Sequence, residues 1–410
     1  MPTTPPAGND PIDPADCAWL LGEEANRLLV DNAEAQATPQ TVARLRKSLP
    51  PQRAALVLLT VELRRRAANK FSRSDHMFFS RVGLEQATDE WTARYKAERF
   101  AGRRDARDLC TGVGGDLIAL GGVAPASGVD RDGVLARFAE RNAAAYGLEN
   151  VAVQSCEASV AAVADCAAWH IDPDRRPQGR RTTQVAAHSP SLETLEAMHA
   201  ATPHAAIKLA PAAEAPETWR QERELEWISR GGECRQLVVW SGALATQAGK
   251  RRATAIRAGA NIPESESRIA TFVGPAGAAI EPATSLGRYV LEPDPAVLAA
   301  DLSGALAAKH GLGGVEPGVA YFTADKAPRE PLLAAFEVLD VMPMDRKRLS
   351  AWLDERSVGR LEIKVRGLSV DPAALRKQLR PRGDAEATLL IAPRNGKPAV
   401  IAARRVASNS

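Results

Sequence analysis

Ala106-Arg-Asp108-Leu-Cys110-Thr-Gly112-Val-Gly114-Gly115-Asp116 is the stretch on which the reading of this chain turns. It opens with a short apolar run, predicted as a strand from Ala106 to Cys110, and leads through glycines into a helix. Glycines let the backbone turn tightly and come close to a ligand, and the start of the following helix offers unpaired N–H groups. A dinucleotide-binding turn would read Gly-x-Gly-x-x-Gly, but Leu117 holds the third place, which counts against NAD.

Working outward, short apolar runs alternate with helical stretches from about Arg107 to Trp240, the pattern of a parallel α/β sheet. Further strands are predicted at Ala126 to Val129, Val151 to Ser155, Cys166 to Ile171 and Ala205 to Leu209. Trp227-Ile-Ser, the pair Gly231-Gly232 and Gln236 to Trp240 read as an antiparallel hairpin closing the sheet, because adjacent glycines supply the positive φ that a tight reversal needs. Upstream, Leu56, Leu59 and Leu63 recur at helix spacing within an all-helical lobe, whose last helix carries Trp91, Tyr95 and Phe100. From Phe336 onward strand-like and helix-like segments alternate as a small β-α-β-α-β-β module. The expected division is a disordered tail over 1–16, a helical lobe over 17–102, a Rossmann-like domain over 103–245, an accessory region over 246–330 and an α+β domain over 331–410.

The totals exclude several classes. Of 410 residues, 45% are hydrophobic and 25% charged, a globular balance. Five cysteines without a Cys-x-x-Cys pair suggest reduced thiols of a cytoplasmic protein rather than disulfides or zinc. The six histidines show no metal-ligand spacing, so no metal is expected and packing or surface roles are assigned to each, His170 being the least ordinary. No apolar run is long enough to cross a bilayer. The net charge of +3 is uneven: from Val341 onward 15 Lys and Arg face 7 Asp and Glu, a net of +8, leaving −5 for the rest. A basic C-terminal module of this kind suits phosphates, and a salt-screened surface reads the same way.

Acids recur where the predicted strands end. Asp108 lies near the end of the first strand, where it suits an ammonium group; Asp130 ends the second, where a carboxylate accepts from ribose hydroxyls; Glu157 follows the third, within reach of an adenine amino group. Asp132 reads as a helix cap. Asp172 follows the fourth strand, and the loop Asp172-Pro-Asp-Arg175-Arg176-Pro-Gln-Gly-Arg180-Arg181 concentrates guanidinium groups that suit phosphate oxygens. A solvated loop paired to its own acids is the plainer alternative.

Together these residues resemble a bacterial family of class I S-adenosylmethionine-dependent methyltransferases with a THUMP-like C-terminal domain. The resemblance includes Leu84-Glu-Gln-Ala-Thr88, Lys96-Ala-Glu-Arg-Phe100, the 108–116 loop, Asp172-Pro-x-Arg-Arg176 with Gly179-Arg-Arg181, Lys208-Leu-Ala-Pro211, Gly287-Arg-Tyr-Val-Leu-Glu-Pro293, Phe336-Glu-Val-Leu339 and Leu361-Glu-Ile-Lys364 with Arg366-Gly367. It implies an α/β fold: a doubly wound class I methyltransferase sheet with a closing antiparallel hairpin, a helical N-terminal lobe and a small α+β THUMP-like module. It implies S-adenosyl-L-methionine held by Asp108, Cys110, Gly112, Gly114, Gly115, Asp130 and Glu157. Cys110 matches the first glycine of the family's motif, so close approach falls to Gly112 and Gly114. Asp172 and Arg175 are the expected catalytic residues, Arg175 standing where amine methylases carry a stacking ring. Arg176, Arg180, Arg181, Lys364 and Arg366 are the expected contacts to RNA. A small-molecule or protein acceptor, or an inactive RNA-binding module, stands as the alternative, and the oligomeric state is left open.

Overall fold

The computed structural model describes residues 12–174, 184–185, 188–259, 262–263 and 267–406. Its strands are β1 (Ala106–Leu109), β2 (Ala126–Asp130), β3 (Val153–Ser155), β4 (Ala168–Ile171), β5 (Ala205–Leu209), β6 (Glu224–Arg230), β7 (Glu233–Trp240), β8 (Arg251–Arg257), β9 (Arg268–Gly274), β10 (Tyr289–Pro293), β11 (Gly313–Gly314), β12 (Phe322–Ala324), β13 (Leu333–Pro343), β14 (Val358–Val365), β15 (Ala385–Arg394) and β16 (Lys397–Arg405). The chain forms two compact units. One comprises 1–225, 236–249 and 256–268; the other comprises 226–235, 250–255 and 269–410.

The first unit begins with helices at Pro14–Leu20, Glu23–Asp31, Pro39–Leu45, Pro51–Ala67, Arg81–Gln86 and Glu90–Ala97. The first of these starts at Pro14, inside the stretch expected to be a tail, because the Asp13 side chain caps it by accepting from Ala15 N at 2.8 Å. The long helix Pro51–Ala67 opens on a proline, whose missing N–H costs nothing at that position. It buries Val57, Leu58, Val61 and Leu63, each worth about 1.5–3 kcal/mol when fully removed from water.

The strands of this unit run in the order β3-β2-β1-β4-β5-β7. β1 pairs in parallel with β2 and β4, β4 with β5, and β2 with β3, whereas β7 runs antiparallel to β5. The order reverses between β2-β1 and β1-β4, which opens a crevice beyond the carboxyl ends of these strands. The expected doubly wound sheet is therefore present. Gly231 and Gly232 join β6 to β7, both at positive φ (63° and 78°), as the closing hairpin requires.

In the second unit a seven-stranded sheet is ordered β11-β12-β10-β13-β16-β15-β14. β13, a helix at Arg346–Glu355, β14, a helix at Pro372–Leu379, β15 and β16 reproduce the expected β-α-β-α-β-β succession. Alternation along β15 explains the layers. Leu389 and Ile391 pack with Leu349, Trp352, Leu353 and Leu375 of the two helices, while Leu390 and Ala392 join Phe336, Ile401 and Tyr321 on the opposite face. β10, β11 and β12 belong to the same sheet although they lie in the region read as accessory, whose weak periodicity hid them.

Candidate functional site

Register places the polar residues of the first unit on one face. Asp108 on β1 stands opposite His170 on β4, and His170 stands opposite Ala206 on β5. With a side-chain period of two, Cys110, Asp172 and Lys208 follow on that same face at the strand ends. Gly128 lies opposite Asp108 on β2. A Cβ there would meet Thr111 Oγ1 at 2.9 Å and Val153 Cγ2 at 3.0 Å, so only glycine fits.

The loop after β1 has the conformation its glycines predict. Cys110, Gly112 and Gly114 all have positive φ (54°, 58° and 89°). A Cβ on Gly112 would meet nothing within 4 Å, whereas one on Gly114 would lie 3.2 Å from Ala139 Cα. Gly112 therefore leaves open space, and Gly114 lets the loop pack on the helix Gly133–Ala145. Asn142 of that helix donates to the carbonyls of Val113 (2.8 Å) and Phe78 (2.9 Å), tying the loop to the helical lobe.

Asp130 ends β2. Its Oδ2 accepts from Gly112 N at 2.7 Å and its Oδ1 from Asp132 N at 2.9 Å, so the carboxylate is locked to the glycine loop. Burial pushes its carboxyl above the usual range, against those two backbone bonds. Asp132 caps the next helix through Val134 N and Leu135 N. Glu157 lies just beyond β3, exposed. The Cys110 thiol is pushed far up by burial and by the nearby Asp130 and Asp172, which disfavours the thiolate that a nucleophilic cysteine needs.

Behind the loop lies a buried polar cluster whose members the sequence did not connect. His170 Nδ1 is 2.7 Å from Asp108 Oδ1, and His170 Nε2 is 3.1 Å from Lys96 Nζ. Lys96 Nζ pairs with Asp116 Oδ1 at 2.6 Å, and Asp116 Oδ2 accepts from Thr88 Oγ1 at 2.7 Å. Asp108 Oδ2 is buried with no hydrogen-bond partner among the described residues. Burial raises the Asp108 carboxyl against the bond from His170. Burial would raise Asp116 as well, but the adjacent Lys96, which pairs with it, outweighs burial and holds that carboxyl far below the ordinary range. A buried, negatively polarised oxygen without a donor suits a cation bearing N–H groups.

Asp172 sits at the crevice mouth, its side chain about a quarter exposed, with Lys208 Nζ 2.5 Å from Oδ2. Lys208 also donates to the Gln86 carbonyl at 3.4 Å. The sequence signalled it by the Lys208-Leu-Ala-Pro211 match and as a lone lysine in the otherwise apolar strand Ala-Ala-Ile-Lys-Leu, but neither gave it a partner. Asp174 and Ser189 exchange backbone hydrogen bonds of 2.8 and 3.0 Å. Arg175, Arg176, Arg180 and Arg181 lie outside the described residues.

In the second unit Lys364 and Arg366, expected to face RNA, both meet Glu292. Lys364 Nζ is 2.8 Å from Oε2 and Arg366 Nη2 is 3.2 Å from Oε1. An open hollow on the same sheet is lined by Arg360, Arg376, Arg404 and Arg405 together with Glu362 and Glu386. Among the described residues no group of three or more His, Cys, Asp or Glu side chains is arranged to hold a metal.

A parallel sheet with its reversal at β1/β4, a closing antiparallel β7 and a glycine loop flanked by strand-end acids is the architecture of a class I methyltransferase. The chain belongs to the S-adenosylmethionine-dependent methyltransferases. It is 35% identical over 349 residues to two proteins of Mycobacterium tuberculosis strains, each described as an uncharacterised S-adenosylmethionine-dependent methyltransferase, across 83% of this chain and 92% of theirs. A family model for a THUMP domain-like module matches residues 333–405. A crystal structure from Porphyromonas gingivalis that carries a methyltransferase assignment shares the fold, with a TM-score of 0.76 and 21% identity over 97% of this chain and 100% of that one. The protein is thus a transferase whose methyl donor is S-adenosylmethionine.

Proposed function

We propose that the enzyme methylates RNA, holding the donor beyond the ends of β1, β2 and β3 and bringing the acceptor to Asp172. The donor side of this reading rests on Asp108 Oδ2, the buried carboxylate oxygen that has no partner among the described residues. The donor's ammonium group fits that oxygen. The open space over Gly112 admits its backbone-contacting part, and the remaining lone pairs of Asp130 accept from ribose hydroxyls. Glu157 is the candidate acceptor for the adenine amino group. Cys110, Gly114 and Gly115 shape the loop.

A sulfonium is an excellent leaving group, so the protein's task is chiefly to position donor and nucleophile in line. Asp172 orients the acceptor, or takes its proton where the acceptor is a nitrogen. Lys208 keeps the carboxylate aimed. Arg175, with Arg176, Arg180 and Arg181, is assigned to the acceptor.

The observation that favours RNA is the module at 333–405, which matches the THUMP-like model and carries Arg360, Arg376, Arg404 and Arg405 around one hollow. Guanidinium groups gathered from the sheet and the helix Pro372–Leu379 around one hollow suit a phosphate backbone. Lys364 and Arg366 would contribute by exchanging Glu292 for phosphate. The site of action proposed is the cytoplasm; no described helix is long and apolar enough to cross a membrane.

Mass spectrometry of nucleosides from cellular RNA, with and without the gene, tests the proposal. A methylated nucleoside should disappear and return with the wild-type gene but not with Asp172→Ala, whose purified form should still bind RNA. An unchanged nucleoside profile would set RNA aside.

A further inference from the structure

The cluster behind the glycine loop has a definite proton inventory. Lys96 Nζ carries donors only, so the His170 Nε2 atom beside it must accept. The ring proton then sits on Nδ1 and is donated to Asp108 Oδ1. His170 is therefore neutral. Lys96 balances Asp116, at 2.6 Å, and Asp108 is left as one uncompensated carboxylate in a site with almost no access to water. The titratable groups that face it are His170 from β4, Lys96 from the helix Glu90–Ala97, Asp116 from the helix Gly115–Gly121, and the more distant Cys110 and Asp130 at the strand ends. Lys96 is the one cation among them, and its charge is already taken up by Asp116 at 2.6 Å. An isolated buried carboxylate is far too costly to keep ionised, and it takes up a proton instead. The available atom for that proton is Oδ2, since Oδ1 is occupied by His170.

We propose that Asp108 exchanges a proton for the ammonium group of the methyl donor, with His170 and Lys96 as positioning residues that hold Oδ1 and leave Oδ2 aimed at the donor. The exchange rests on the reading of Asp108 as the ammonium acceptor. Without donor, Oδ2 carries the proton and the cluster is neutral. When the ammonium group arrives, the O–H bond of Asp108 breaks, the proton passes to water, and an N–H of the ammonium replaces it. Charge in the cavity is the same before and after, which makes burial of a charged donor tolerable. Lys96 and His170 act through Asp108 alone. Lys96 forces the tautomer of His170, and His170 in turn favours the ionised form of Asp108.

Calorimetric titration with S-adenosylhomocysteine, which carries the same ammonium group, tests this in buffers of different ionisation heat. The dependence of the observed heat on the buffer counts protons directly. The wild-type protein should release about one proton per ligand where Asp108 is still protonated in the free protein, and progressively fewer as pH rises through its raised value and Asp108 becomes ionised beforehand. Asp108→Asn should bind at least about tenfold more weakly and release none, having neither charge nor exchangeable proton. His170→Gln removes the imidazole donor, so the proton competes better. Its affinity should fall by about tenfold at the acid end of the titration and recover as pH rises, whereas a merely structural role would lower affinity equally at all pH values. Binding by the wild type with no proton release at any pH would overturn the exchange. Unchanged affinity in folded Asp108→Asn would overturn the underlying ammonium assignment instead.

Discussion

Replacing Asp130 by alanine separates two duties of one side chain. In the free protein its oxygens accept from Gly112 N (2.7 Å) and Asp132 N (2.9 Å). Gly112 is partly exposed, so water can replace one of these acceptors. The loss of folding stability should therefore stay near the low end of the usual range for an unsatisfied donor, about 1 kcal/mol. If the same carboxylate also accepts from the donor's ribose, the charged hydrogen bonds removed from the complex should cost about 1.5–3 kcal/mol, or about 10- to 150-fold in Kd. Asp130→Asn keeps one carbonyl acceptor and should fall between. Titration calorimetry with S-adenosylhomocysteine measures the affinity, and thermal unfolding without ligand measures the structural part. A stable Asp130→Ala protein that binds S-adenosylhomocysteine like the wild type would refute the ribose assignment. Tighter binding of NAD than of S-adenosylhomocysteine would refute the reading of the whole loop.

Asp116→Asn should flatten the acid limb of the stability profile. Its carboxyl lies far below the ordinary range, so its contribution is complete above the unfolded value of about 4 and is lost progressively as pH falls from there toward the folded-state value. The gap between the melting temperatures of wild type and variant should narrow from about pH 5 to about pH 3, and parallel curves would contradict the pairing with Lys96. Gly114→Ala places a side chain at φ 89° and 3.2 Å from Ala139 Cα; it should cost at least about 1–2 kcal/mol in chemical denaturation, and an unchanged midpoint would show that the loop is not held there. Replacing Lys364 and Arg366 by alanine should weaken RNA binding and reduce its salt dependence by about one slope unit for each phosphate that is no longer neutralised. Equal slopes and affinities would remove β14 from the RNA surface.

What could be read without coordinates was whatever depends on neighbours in the chain. The glycines at 112 and 114 announce their positive φ wherever they occur, because no side chain opposes it. Alternation in β15 and the helical spacing at 346–355 likewise follow from local periodicity, and strand-end acids follow from the shape of an open sheet. Pairing across the fold was a different matter. His170 stood out as the least ordinary of the six histidines, yet its role was hidden because its partners stand at positions 96 and 108. Only the parallel register of β1 with β4 and the packing of the helix Glu90–Ala97 on that face bring them together. Lys208 meets Asp172 through the adjacency of β4 and β5, and Lys364 and Arg366 read as open cations until β10 delivers Glu292 to both. The sequence by itself thus determined the class of fold and the positions of the loop and its acids, since backbone conformation and hydrophobic period are local properties. The tertiary structure alone decided which charges are compensated, because a charge is balanced by whatever lies within a few ångströms of it, at any distance along the chain.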